Sequence, residues 1–255
     1  MNANWGNFVA RSVTVIALLG FWEVAANHGW IEQRWFSSPS QIGVRLLQEW
    51  TAGSIVQDTW VTIFETAIGF AAGVIGGIIF GVALGFMHRL REILMPYLQA
   101  IYGIPRPALA PVFVLWFGVG ILSKMVLIFS LVYFVVLLYV IAGFRNINQN
   151  HIRLAATIGA TYPQILVKII IPTILPGIFE GMRLGIGLAI VGAVVGEFIS
   201  SDAGLGHYIL QSSFRGDTDG IYVGLAGLGV ISVTFVASMN SADRHFFPWR
   251  AGLKQ

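Results

Sequence analysis

Residues 61–87 read VTIFETAIGFAAGVIGGIIFGVALGFM, with Glu65 as the only charge. A helix crosses the hydrocarbon layer with roughly 20 mostly apolar residues, and this run exceeds that length. Comparable stretches lie near 8–27, 95–118, 124–144, 172–199 and 221–241. The reading is an all-α membrane protein with about six transmembrane helices. Composition agrees: 56% apolar residues, 11% charged residues and a mean hydropathy of +0.77 exceed what a soluble globule can bury. A lipid bilayer is the expected solvent. Within the first stretch, Val13–Trp22 followed by Val24, Ala25 and Ala26 resembles a signal-peptide core and cleavage site. Only Arg11 precedes that core and Glu23 adjoins the site, so the first span is expected to be retained.

The spans are rich in glycine, 30 residues of 255 against a usual share of about 7%. Gly77, Gly81 and Gly85 in the second span, and Gly177, Gly181 and Gly185 in the fifth, recur every fourth residue. Each set lies on one helix face, where a missing side chain lets another backbone approach. Packing accounts for such a stripe; so does a pathway. Pro105, Pro107 and Pro111 each remove a backbone donor in the third span. That leaves a broken helix facing a cavity, or a fixed kink.

Charge sets the orientation. With the N-terminus cytoplasmic, Arg89, Arg91, Arg145, Arg153, Lys168, Arg244, Arg250 and Lys254 fall inside, and Arg34, Arg45, Lys124 and Arg215 fall outside. The excess of inside bases predicts both termini in the cytoplasm of a cell inner membrane. It also makes 145–171 the longest cytoplasmic loop. The bases are scattered singly, without the patch that nucleic acid binding needs.

Four charges within spans require partners or water, since each costs on the order of 2.5–3.5 kcal/mol at a helix centre. They are Arg106, Glu180, Arg183 and Glu197. Glu180 and Arg183, three apart, can pair on one helix face. Arg106, between two prolines, has no evident local partner and either snorkels to the cytoplasm or lines a cavity. Glu197 belongs to an outer gate or is solvated at the interface. The five histidines lie in loops or at span ends, with no H-E-x-x-H spacing. With no cysteine either, no metal site and no cofactor are expected on the chain. No phosphate-binding G-x-x-x-x-G-K-[ST] surrounds Lys124, Lys168 or Lys254, so ATP hydrolysis by this chain is not expected.

The loop reads RNINQNHIRLAATIGATYPQILVKIII over 145–171. Helical periodicity through Ile152, Ala155 and Ala156 stops at Gly159, and Thr161-Tyr162-Pro163-Gln164 fits a capping box. Two short helices joined at Gly159-Ala160 are expected, either an elbow that inserts into a partner or an ordinary interfacial connector.

Gly159, nine residues, Ile169, one residue, Ile171 and Pro172 resemble the G-x9-I-x-L-P half of the cytoplasmic signature of binding-protein-dependent ABC importer permeases. The signature opens Glu-Ala-Ala; here those positions are Arg153, Leu154 and Ala155, so the first charge is reversed. Phe36-Ser37-Ser38-Pro39-Ser40, IPRPALAPVFVLWFGVGILSK over 104–124 and LPGIFEGMRLGIGLAIVGAVVGEFISSDAGLG over 175–206 are similar to the subgroup serving nitrate, sulfonates and taurine. Glu65 stands where that subgroup often has arginine.

The resemblance implies type I permease architecture: a first helix and periplasmic amphipathic segment over 1–56, the transmembrane domain over 57–243 and a cytoplasmic tail over 244–255. It implies two permease copies, a partner ABC ATPase carrying ATP and magnesium, and an extracytoplasmic substrate-binding protein. Arg153, Leu154, Ala155, Gly159, Ala160 and Thr161 would form the ATPase-coupling loop. The implied cargo is a small oxyanion, with a vitamin or its precursor, such as a pyrimidine or flavin, as alternative. A secondary transporter, usually marked by internal repeats, and an intramembrane enzyme, marked by titratable groups converging at one depth, are the rival classes. Neither mark is evident.

Overall fold

The computed structural model describes residues 2–32 and 35–246. Among them the regular elements are all helical: α1 (Asn2–Asn27), α2 (Pro39–Ala52), α3 (Ser54–Phe86), α4 (His88–Gly103), α5 (Ala110–Phe117), α6 (Ile121–Arg145), α7 (Gln149–Thr157), α8 (Tyr162–Ile165), α9 (Ile171–Ile199), α10 (Leu205–Arg215) and α11 (Thr218–Phe246). The tail expected over 244–255 lies, from residue 247 on, outside the described residues.

Among the described residues, four helices are long and apolar enough to cross a membrane: α3, α6, Tyr162–Ile199 and Thr218–Asp243. The apolar stretch of α1, Ser12–Asn27, is shorter. The expected third span is not one helix, because α4 and the segment Arg106–Phe117 are bent by 78°. Pro105 cannot donate to the preceding turn, and Ile104 before it is extended. The fifth span begins at Tyr162 rather than near 172. The second short helix of the loop, α8, passes into α9 through a wide turn at Leu166–Ile170, where the Ile171 N–H reaches the Leu166 carbonyl.

The chain forms two compact units. The first holds residues up to Val61 together with Ala203–Gly229. Here Ser38 caps α2, its Oγ accepting from the Gln41 N–H at 3.3 Å, with Pro39 in the first turn. Arg45 donates to Asp217 at 2.7 Å and lies 3.1 Å from Glu49. Burial pulls the guanidinium pKa down, but the bond and charge of Asp217, with that of Glu49, raise it beyond the ordinary arginine value. Burial, and next Glu49, push the nearby Tyr208 hydroxyl up to about 12. The Gly204 N–H donates to Asp58 at 2.8 Å, tying the start of α10 to α3.

The second unit holds Thr62–Asp202 with the residues from Val230 on. Its centre is α6, where Leu127, Ile128, Val132, Val136, Val140 and Ile141 are fully buried. Lipid tails are as apolar as these side chains, so close packing must hold the helices together. The glycine stripes supply it. A Cβ built on Gly77 would lie 2.8 Å from the Tyr133 carbonyl oxygen, and one on Gly81 2.7 Å from Val140 Cβ. From α9, one on Gly177 would lie 3.0 Å from the Tyr139 carbonyl and one on Gly181 2.9 Å from Tyr139 Cβ. Gly69 and Gly73 extend the α3 stripe by two turns against Ile128 and Val132. Both stripes therefore face α6 of the same chain.

Candidate functional site

The elbow between α6 and α9 is built from local rules. Asn148 caps α7, its Oδ1 accepting from the Asn150 N–H at 2.9 Å. At the other end Gly159 has φ +84°, the Ala160 N–H reaches the Ala155 carbonyl at 2.9 Å and the Gly159 N–H reaches Ala156 at 3.0 Å. This paired closure is the Schellman motif, which places glycine at the left-handed position. The Thr161 N–H then donates to Gln164 Oε1 at 2.8 Å, and the expected capping box starts α8. Three turn devices between Asn148 and Gln164 fix the direction of the chain as it enters α9.

One side of this elbow is anchored. Ile152, Ala155 and Ala160 lie against the core cluster that includes Phe144, Ile165 and Ile174. The outer side is bare: Leu154 is 63%, Ile158 77% and Tyr162 63% exposed, and Arg153 is exposed beside them. Leu154, Ala155, Ile158 and Ile169 line a groove of about 440 Å³ that His151 and Lys168 also border. The structure thus brings Arg153, Leu154, Ala155, Gly159, Ala160 and Thr161 together in one small projection.

The charges within the spans do not converge. Arg106 is buried, 6% exposed. Its guanidinium donates to the carbonyls of Ile101 and Tyr102 at 3.1 and 3.2 Å, and lies 4.3 Å from the centre of the Phe134 ring. The arginine after Pro105 thereby supplies the end of α4 with donors that the backbone cannot, and its charge suits that helix terminus. Arg183 pairs with Asp243 on α11 at 3.0 Å. Glu180 is exposed. Glu197 is fully buried rather than solvated, accepting from Thr62 Oγ1 at 2.7 Å.

The sequence reading missed an ion pair. Lys124 Nζ meets Glu65 Oε1 at 2.5 Å, the side chains being 4% and 0% exposed, and it also donates to Ser201 at 2.8 Å. By charge Lys124 counts as an outside base at the start of the span over 124–144, but α6 starts earlier, at Ile121, and Lys124 is buried within it. Gly196 leaves room for its stem, since a Cβ there would lie 2.9 Å from Lys124 Cγ. The available signal was Glu65 itself, a lone acid in an apolar span that demands a base. Among the described residues no group of three metal-ligating side chains occurs.

The profile of the family described as "Binding-protein-dependent transport system inner membrane component" matches residues 73–251. The chain belongs to this family. It is 29% identical to the taurine transport system permease protein TauC of Escherichia coli, over 92% of this chain and 88% of that one. It is 33% identical to the riboflavin transport system permease protein RibX of Chloroflexus aurantiacus, over 94% of this chain and 89% of that one. A chain of the MetNI methionine ABC transporter, in an inward-facing conformation, shares the fold with a TM-score of 0.60 at 17% identity, covering 76% of this chain and 98% of that one. The chain has the helical architecture of ABC importer permeases and belongs to a family of membrane components of transport systems.

Proposed function

We propose that this chain is the pathway-forming subunit of an ATP-driven importer, with both termini in the cytoplasm. Two copies enclose the pathway, a separate ABC ATPase binds ATP and magnesium, and an extracytoplasmic binding protein delivers the solute. The observation that carries the reading is the elbow. A loop that merely joins two spans has no need of a Schellman closure, a capping box and an anchored helix that leave Leu154, Ile158 and Tyr162 exposed. Such a projection transmits displacement, because its second helix, α8, continues through Leu166–Ile170 into α9. Arg153, Leu154, Ala155, Gly159, Ala160 and Thr161 are the ATPase-coupling residues in this reading. The glycine stripes face α6, so they are not the surface on which the second copy packs. Arg106, Glu180, Arg183 and Glu197 act as supports of the helices flanking the pathway.

The proposed cargo is a small oxyanion of the sulfonate type, supported by the likeness to the taurine system and to the sulfonate subgroup. The riboflavin permease, at 33% identity, supports a vitamin as second reading. Reconstitution with the cognate ATPase and binding protein in proteoliposomes separates them. Taurine, an alkanesulfonate, nitrate and riboflavin are each added on the binding-protein side. Stimulation of ATP hydrolysis by an oxyanion alone is expected. Stimulation by riboflavin alone would replace the substrate class and leave the importer reading in place.

A further inference from the structure

The outward face of the elbow carries unbalanced charge. From Arg145 to Phe179 the chain has Arg145, Arg153, Lys168 and His151 but no Asp or Glu. All four bases are exposed, and none forms an ion pair within the described residues. Two of them, His151 and Lys168, border the groove that Leu154 and Ile158 line, and Arg153 directly precedes Leu154 in α7. Leu154, Ile158 and, past the turn, Tyr162 are exposed. An apolar patch of this kind with a charged border is the mark of a docking surface. We propose that it docks on a groove of the ATPase partner with an apolar floor and an acidic rim, and that Arg153 is the residue facing the acid. This rests on the coupling reading above and adds the chemistry of the partner.

The faces of α7 favour a protein groove over a lipid surface. A helix lying on a membrane turns one continuous apolar face to the acyl chains and keeps its charges on the other. In α7 the residues that continue such a face, Ile152 and Ala155, lie against the chain's own core. The face left outside mixes Asn150, Arg153, Leu154 and Thr157, all exposed. Mixed apolar and basic contacts suit a shaped groove with complementary charge, which adds specificity and speeds encounter. An acid-bearing groove also discriminates, because an ATPase with a basic rim would meet like charge.

The test uses the whole permease in nanodiscs with its native ATPase, and reads association by titration. Arg153→Glu is expected to weaken association by about tenfold or more, Arg153→Ala by less, and Arg153→Lys little. Raising salt from about 0.05 to about 0.5 M should weaken the native complex and spare Arg153→Ala from most of that loss. Arg153 is exposed on a helix surface, so folding is not at stake. Native association of Arg153→Glu would overturn the proposal. Ile158→Ser then separates the two readings: if it still weakens association, only the acidic rim falls, and if it does not, the coupling reading falls as well. The titration is run in zwitterionic and in phosphatidylglycerol-containing nanodiscs. An Arg153→Glu effect confined to the anionic lipid would give the elbow to the membrane and also overturn the proposal.

Discussion

Glu65 and Lys124 are buried together, and neither charge is tolerable there without the other. Removing one partner leaves an uncompensated charge, so Lys124→Leu should cost about 3–5 kcal/mol. Replacing both by leucine should cost less than the single change. Thermal unfolding in detergent checks this; a double variant no more stable than Lys124→Leu would show that the pair contributes packing alone. Arg106 makes the same point through the backbone. Arg106→Gln should loosen the bend and cost about 1–3 kcal/mol, because the carbonyls of Ile101 and Tyr102 lose charged donors. At this scale the sequence was least legible. The need for partners could be read, since each charge stood in apolar sequence. The partners could not: Lys124 is remote from Glu65 in the chain, Asp243 from Arg183, and Thr62 from Glu197. Arg106 is held by carbonyls, which every residue has.

Local rules write elements more openly. The capping box at Thr161, the stop at Gly159 and the four-residue glycine phase are short-range patterns, and each appears where its chemistry put it. The break at Pro105 was legible as a break, whereas its angle depends on what α5 packs against, including Leu127 and Leu131 of α6. Two glycine tests belong here. Gly77→Val should cost at least about 1–3 kcal/mol by forcing α3 from α6, while Gly187→Ala, with nothing within 4 Å of the added carbon, should be near neutral in the same melt. At Gly159 the space within the chain is likewise open, but φ is +84°, so any L-residue bears about 1–2 kcal/mol of strain. Gly159→Ala therefore reports backbone strain, and Gly159→Trp adds bulk that only a partner meets. The tryptophan variant should insert normally, yet bind the ATPase far more weakly than the alanine variant. Equal association of the two would leave the turn as a connector.

Across the whole molecule, the membrane class came directly from hydropathy, and the broken third span and short first helix adjust the count without changing the class. The proposed orientation rests on arginine and lysine bias alone. The chain has no cysteine to confuse labelling. Asn150→Cys should react only from the cytoplasm and Arg215→Cys only from outside; the reverse at both sites would invert the topology. Cargo was not legible, since an importer of this kind receives its solute from another polypeptide. The central claim is that this chain moves solute only when a separate ATPase drives it. Accumulation of the stimulating solute should be measured in proteoliposomes holding the permease, ATPase and binding protein, with ATP on the ATPase side. The account predicts uptake that needs all three proteins and stops when hydrolysis is blocked; accumulation by the permease alone on an ion gradient, without ATP, would contradict it.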